Sequence, residues 1–275
     1  MRRVLLALAL LICCVVQAVA QAVAQERFGV AYYDVDKLYD TIPSKFYDDR
    51  AYTPNGKLGW NAERYRRKVE NIARVVDSLA MPVVVLYGVE NESVVRDVVS
   101  ASNQDYAYIH RTQDYNDGLD FAVLYFADKF FVESITPWRG ALCVEGEANG
   151  RPLTIVATNR CSSLGVLFAE RNLNREGNRI VLLGQSSRMG FQGLGLRDCS
   201  IGAERAGRGN IFTNGGWTMR DRVASNVSGV ERCDVYIKHW LLDKNAVPQP
   251  TFEKGRYRGG YSSSLPIYIY FREIF

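Results

Sequence analysis

The sequence predicts a layered α/β sandwich with two central sheets and helices outside. Three observations carry that expectation: helical patterns separate the strands early in the chain, hairpin patterns dominate later, and the apolar runs are short throughout. Residues 28–35 alternate and are rich in aromatic and β-branched side chains, the pattern of a strand. A loop follows, with Pro43, Asp48, Asp49, Pro54 and Gly56. Across 60–79, Tyr65, Val69, Ile72, Val76 and Leu79 recur at helical spacing and predict an amphipathic helix. The continuous apolar run 82–87 predicts a buried strand, 92–101 a second helix and 106–110 another strand. Residues 119–125 and 129–135 read as neighbouring strands, and 141–147 and 152–158 flank Ala148-Asn149-Gly150, a hairpin turn. A candidate helix spans 164–173, a buried strand 179–183, and the last strands 233–237 and 265–271.

The N-terminus reads as an export signal. Arg2 and Arg3 precede an apolar stretch over 4–16, and two copies of Ala-Val-Ala-Gln follow, so cleavage is expected after Ala20 or Ala24. The apolar stretch is shorter than the roughly 20 residues of a spanning helix, and the bulky Ile12 before Cys13 and Cys14 argues against a lipid-modified start. Residues 1–24 are therefore expected to be a cleaved signal peptide. Residues 25–275 are expected to form a single domain in the periplasm or outside the cell, with no transmembrane segment after cleavage. The formal net charge of +4 is well mixed in sign and gives no argument for nucleic acid. Cys143, Cys161, Cys199 and Cys233 allow one or two disulfides with three possible pairings, or buried thiols. Their spacing lacks the close pair of a zinc site.

Several fragments, in order, resemble the endonuclease/exonuclease/phosphatase superfamily, in particular its exported bacterial branch. Tyr33-Asp34-Val35-Asp36-Lys37-Leu38-Tyr39-Asp40 is similar to the family's Tyr-Asn-Val-Glu-Asn-Leu-Phe-Asp. Thr53-Pro54-Asn55-Gly56-Lys57, Gly59-Trp60, Arg64-Tyr65, Lys68 and Asn71-Ile72-Ala73 fit its loop and first helix. Val85 to Asn91 sits where the family has Leu-Gln-Glu-Val-Glu-Asn, and Asp117-Gly118-Leu119-Asp120 begins its next strand. The tail from Gly259 to Tyr268 is similar to Gly-Gly-Tyr-Ser-Asp-His-Leu-Pro-Val-Tyr. The resemblance implies a four-layer α/β sandwich of the DNase I-like type, with two central, mostly antiparallel sheets flanked by helices. It also implies a site at one edge, where active relatives hydrolyse phosphate esters with magnesium-like ions and a His–Asp pair.

Residue by residue, that chemistry is replaced. The resemblance puts the metal-binding Glu on Gly88, the Gly-Asp-Phe-Asn motif on Gly184-Gln185-Ser186-Ser187, and the C-terminal Asp–His pair on Ser263 and Ser264. The phosphate-contacting His falls on Asn159, and the first metal-shell Asn on Asp34. Asp221 matches the Asp that orients the catalytic His, now without its partner. His110 stands where active relatives keep a His, and Asp120 is retained.

The leading expectation is thus a catalytically inactive binding protein without a cofactor. Its partner, an anionic ligand or an envelope protein, would sit at the old cleft, with Arg160, Arg188, Arg220 and Arg222 near the rim. The alternative is a residual metal-dependent phosphodiesterase or nuclease-type hydrolase, with Mg²⁺ relocated onto Asp34, Glu90, Asp120 and Asp221. In a strand Glu90 would share a face with position 88.

Overall fold

The computed structural model describes residues 27–112, 117–185, 191 and 193–272. The expected leader, Ser186, Ser187 and Arg188 lie outside the described residues.

The first sheet is built on β1 (Phe28–Leu38) and β2 (Val83–Val89), whose β-branched and aromatic residues are buried along most of their length. They pair in parallel, which demands a crossover. The crossover contains α1 (Ala62–Leu79), which starts where the Asn61 side chain accepts from the Arg64 amide and ends at Ala80 in the left-handed conformation. Val69, Ile72, Val76 and Leu79 form its buried stripe. Asn91 caps α2 (Glu92–Ala101) in the same way, and β3 (Ala107–His110) and β4 (Asp120–Tyr125) follow.

The second sheet opens with β5 (Phe130–Trp138), β6 (Ala141–Ala148) and β7 (Arg151–Asn159). The predicted turn between β6 and β7 is a two-residue loop in which Asn149 and Gly150 both take positive φ, 51° and 71°. Next come α3 (Leu164–Glu170), β8 (Ile180–Gln185), β9 (Arg197–Asp198) and α4 (Ile201–Arg205). The small hairpin β10 (Ile211–Thr213) and β11 (Gly216–Thr218) precedes β12 (Asp221–Ser225), which pairs with β8 in the second sheet. The chain then returns to the first sheet with β13 (Val230–Val235). A second small hairpin, β14 (Phe252–Glu253) and β15 (Arg256–Tyr257), follows, and β16 (Ile267–Phe271) is the last strand. The strand orders are β13-β16-β1-β2-β4-β3 and β5-β6-β7-β8-β12-β9. Among these neighbours β1–β2 and β7–β8 are parallel and the rest antiparallel.

Strand alternation sorts the residues into layers. Leu142, Val144, Leu153, Ile155, Val181, Leu183 and Val223 belong to one core together with the residues of the first sheet. Ala141, Cys143, Val156, Ile180, Leu182 and Ala224 form a second core with Leu167 and Phe168 of α3. Two sheets back to back with helices outside make the four-layer sandwich. Each fully buried Val or Leu contributes about 1.5–3 kcal/mol to it.

Two expectations need correction. The helix expected over 164–173 stops at Glu170, because Asn172 takes a positive φ of 50° and turns the chain. Strand β12 was not expected: its Asp-Arg-Val-Ala-Ser is too short and polar to show a strand pattern, yet it lies between β8 and β9. The four cysteines carry free thiols in this structure. No helix among the described residues is long and apolar enough to cross a membrane.

Candidate functional site

The faces that meet between the sheets converge at one edge of the sandwich. On β1 the residues alternating with Val30 and Tyr32 reach Asp34, which lies opposite Tyr87 of β2. On β7 the series Leu153, Ile155, Ala157 reaches Asn159, and on β8 the series Val181, Leu183 reaches Gln185; these two are register partners. Asp221, two residues before the inward Val223, pairs with Gln185 from the other side. Period-two geometry thus assembles Asp34, Tyr87, Asn159, Gln185 and Asp221 from both sheets.

Arg220 occupies the centre of this group. One of its terminal nitrogens donates to Asp34 Oδ2 at 2.6 Å, to Asp221 Oδ2 at 2.9 Å and to Ser264 Oγ at 2.6 Å. Its Nε donates to Asp221 Oδ1 at 3.1 Å. A single guanidinium therefore spans Asp34, Asp221 and Ser264, the positions to which the resemblance assigns the metal shell, the orienting Asp and the catalytic His. The two carboxylates are largely out of solvent, Asp221 at 2% and Asp34 at 13% side-chain exposure. Burial pushes the Asp34 carboxyl upward, while the Arg220 charge pulls it down. Burial alone would weaken the Arg220 charge, but Asp221 and Asp34 more than offset that, and its pKa is raised.

Asn210, which sequence reasoning missed, clamps the arrangement. It is fully buried, donates to Asp221 Oδ2 at 2.6 Å, and accepts from the backbone amides of Arg220 at 2.9 Å and Asp221 at 3.1 Å. Nothing in Gly209-Asn210-Ile211 signals this role. The clamp exists only because β12 is in place.

Around Gly88 the backbone itself closes the old ligand position. Gly88 has φ of 93°, and a Cβ there would lie 2.0 Å from the Asp36 carbonyl oxygen and 3.6 Å from Asp34 Oδ1. The pairing of β1 with β2 shifts register between Asp34 and Leu38, where Asp36 takes a φ of 61°. Asp34 Oδ1 accepts from the Asp36 amide at 2.9 Å, and the Asp34 carbonyl accepts from Ser262 Oγ at 2.7 Å. Ser263 donates to Asp36 through its amide at 2.8 Å and its hydroxyl at 2.5 Å. The serines at the former Asp–His pair therefore tie the tail to β1.

The remaining candidates are held elsewhere. Glu90 accepts from the Asp40 amide at 2.6 Å and from Tyr47 Oη at 2.8 Å, and burial pushes its carboxyl up to about 7. The expectation that Glu90 shares a face with position 88 fails, because the β2–β4 register shifts between Tyr87 and Val89 and breaks the alternation. Asp120 is fully buried, with Oδ2 3.7 Å from His110 Nε2, beyond hydrogen-bond reach. Burial lowers the His110 pKa, which favours the neutral ring. Asn159 donates to Tyr87 Oη. Arg222 does not line the rim: it alternates away from Asp221, is buried, and pairs with Asp198 at 2.8 Å and Glu204 at 2.6 Å. Arg160 is exposed after β7. Among the described residues no three His, Cys, Asp or Glu side chains gather as a metal-holding group. A divalent ion does not fit the family's position here. Its two nearest carboxylates already hold a guanidinium, and the Glu position admits no side chain.

Residues 29–159 match the model of the Endonuclease/Exonuclease/phosphatase family. No curated protein matches the chain significantly in sequence. Solved structures share its fold at low identity. One is D. rerio TDP2 complexed with a single strand DNA product, at 11% identity and TM-score 0.56, covering 90% of this chain and 99% of that one. Another is an endonuclease/exonuclease/phosphatase family protein from Bacteroides thetaiotaomicron, at 14% identity and TM-score 0.55, covering 89% and 97%. A mannosyl-6-phosphatase from Bacteroides thetaiotaomicron is similar at 15% identity and TM-score 0.54, covering 88% and 98%. The family match runs from β1 through β7, and the shared fold extends over nearly the whole of these chains: this protein has the fold of the endonuclease/exonuclease/phosphatase family and is similar in sequence to that family over residues 29–159.

Proposed function

We propose that the chain is an exported, catalytically inactive member of its family that acts by binding at the old cleft. The observation that carries this reading is the Arg220 guanidinium, which holds Asp34, Asp221 and Ser264 at once. Family chemistry would require an ion, a phosphate oxygen and a general base in that space. A fixed guanidinium supplies positive charge but has no open coordination position and no proton to exchange near neutral pH. The leader pattern of residues 1–24 supports export.

The alternative of a relocated ion on Asp34, Glu90, Asp120 and Asp221 finds no support in the geometry. Arg220 holds the first and last, while Glu90 is turned to Asp40 and Tyr47. Magnesium-titration calorimetry beside a phosphodiester hydrolysis assay separates the two readings. No magnesium-dependent turnover is expected; turnover abolished by Asp34→Ala would overturn the inactive reading.

A further inference from the structure

A cleft of about 360 Å³ opens beside the Arg220 cluster. Its charged lining is Asp34, Asp36, Asp117 and a single cation, Lys37. Arg220 answers the charge of Asp34 from within. Asp36 accepts hydrogen bonds from Ser263, which orient it without neutralising it. Asp117 and Lys37 are exposed, and a lysine on its flexible stem can leave the opening at little cost. On a chain of net charge +4, the cleft therefore keeps an excess of negative charge. Two of the arginines that would have favoured an anion are committed elsewhere: Arg220 is bound up in the cluster and Arg222 pairs with Asp198 and Glu204, while Arg160 is exposed and outside the cleft lining.

Beside Leu119, Thr251 and Ser263, the uncharged lining contains three aromatic rings, Tyr52, Tyr87 and Phe252. The rings of Tyr52 and Phe252 stand at 87° with centroids 6.0 Å apart, and both lean on the fully buried Trp60, at 6.1 and 5.7 Å. They form a rigid corner, fixed before any ligand arrives. The carboxylates flank the rings. Burial, with the Asp36 charge second, pushes the Tyr52 hydroxyl up to about 12; burial also raises Tyr87, where Asp117 and Asp34 add to the rise and Arg160 and Arg220 oppose it.

We infer that this cleft binds an organic cation, such as a quaternary or primary ammonium group, seated in the Tyr52–Phe252 corner and facing Asp36 and Asp117. Ring faces and carboxylates both attract a cation and repel an anion. The volume lies near the lower end for small-ligand clefts, about 300–1,000 Å³, and fits a headgroup. The inference rests on the reading of the chain as a binding protein.

Choline chloride, titrated by calorimetry against the chain with sodium phosphate in parallel, tests it. Saturable choline binding is expected, with phosphate weaker. Phe252→Ala or Asp36→Asn should lower choline affinity about fivefold, the scale of one cation–π or charge contact. Asp117→Asn, at an exposed residue that leaves folding intact, should lower it about twofold. No saturable choline binding, phosphate binding more tightly than choline, or affinity unchanged in Asp117→Asn would overturn the inference. Because the readout is binding alone, its failure leaves the inactive reading standing, while phosphodiester turnover would sink that reading and not this one.

Discussion

Lys68 and Arg220 both bring a positive charge into the interior near the carboxylates of β1, and they are held in opposite ways. Lys68 is buried at 1% exposure and donates to Thr251 Oγ1 at 2.6 Å and to the Tyr261 carbonyl, both neutral acceptors. Burial brings its pKa down to about 8, with Asp36 and Asp34 opposing the drop. Arg220 has two carboxylates in direct contact, and its charge is reinforced. The first site lies in the framework that resembles the family, where Asn71 also ties α1 to the Gly259 and Gly260 carbonyls at 3.1 and 3.0 Å. The second lies where the resemblance places the family's chemical residues. The framework cation fastens backbone to side chain across the fold, whereas the site cation holds two carboxylates and, in the function proposed, stands in for a metal.

Breaking the Arg220 cluster should have the largest effect. Arg220→Ala leaves Asp34 and Asp221 facing each other without a cation, at an expected cost of about 3–5 kcal/mol in chemical denaturation. A loss below 1 kcal/mol would mean that the carboxylates are solvated, and the contrast with Lys68 would disappear.

Restoring the family's carboxylate tests the same contrast from the other side. Gly88→Glu forces a side chain into a positive-φ position against the Asp36 carbonyl. A destabilisation of about 3 kcal/mol is expected, with no gain in magnesium affinity. Recovered magnesium binding would show that the bulge is pliable.

Lys68→Met leaves the Thr251 hydroxyl and the Tyr261 carbonyl without their donor, at about 1–3 kcal/mol. The pH dependence separates this site from the other. A lysine whose folded pKa is lowered from 10.5 to about 8 makes the unfolded chain bind more protons between those values. Stability therefore rises with pH over that window, and the rise should be missing in Lys68→Met.

Glu90 gives the opposite signature. Its folded pKa is raised from 4.5 to about 7, so its contribution is full below 4.5 and is lost as pH climbs towards 7. Glu90→Gln should flatten that fall in denaturation curves taken across the window.

Much of the fold was legible because the chain states it locally. The spacing of Val69, Ile72, Val76 and Leu79 gave α1, and Asn149-Gly150 gave the β6–β7 turn. The order of the surrounding fragments assigned Gly88, Ser263 and Ser264 to the family's site positions, and the structure brings Gly88 and Ser263 against Asp36 and Ser264 against Arg220. The Arg220 cluster was not legible. Arg220 and Asp221 are adjacent in sequence, and strand alternation would send them to opposite faces. Arg220 instead precedes β12, outside the pleat, and folds back onto its neighbour. Asn210 acts only through the backbone amides of Arg220 and Asp221, contacts that carry no sequence pattern. Glu90 was misplaced because the bulge at Gly88 was invisible until β4 was paired beside it.

The central claim is that a guanidinium of the chain itself has taken the place of a metal ion. A crystal structure determined with magnesium and a phosphate ester present tests it most directly. The account predicts Arg220 bridging Asp34 and Asp221, with no ion between the carboxylates. Magnesium coordinated by Asp34, with Arg220 swung out to solvent, would contradict it.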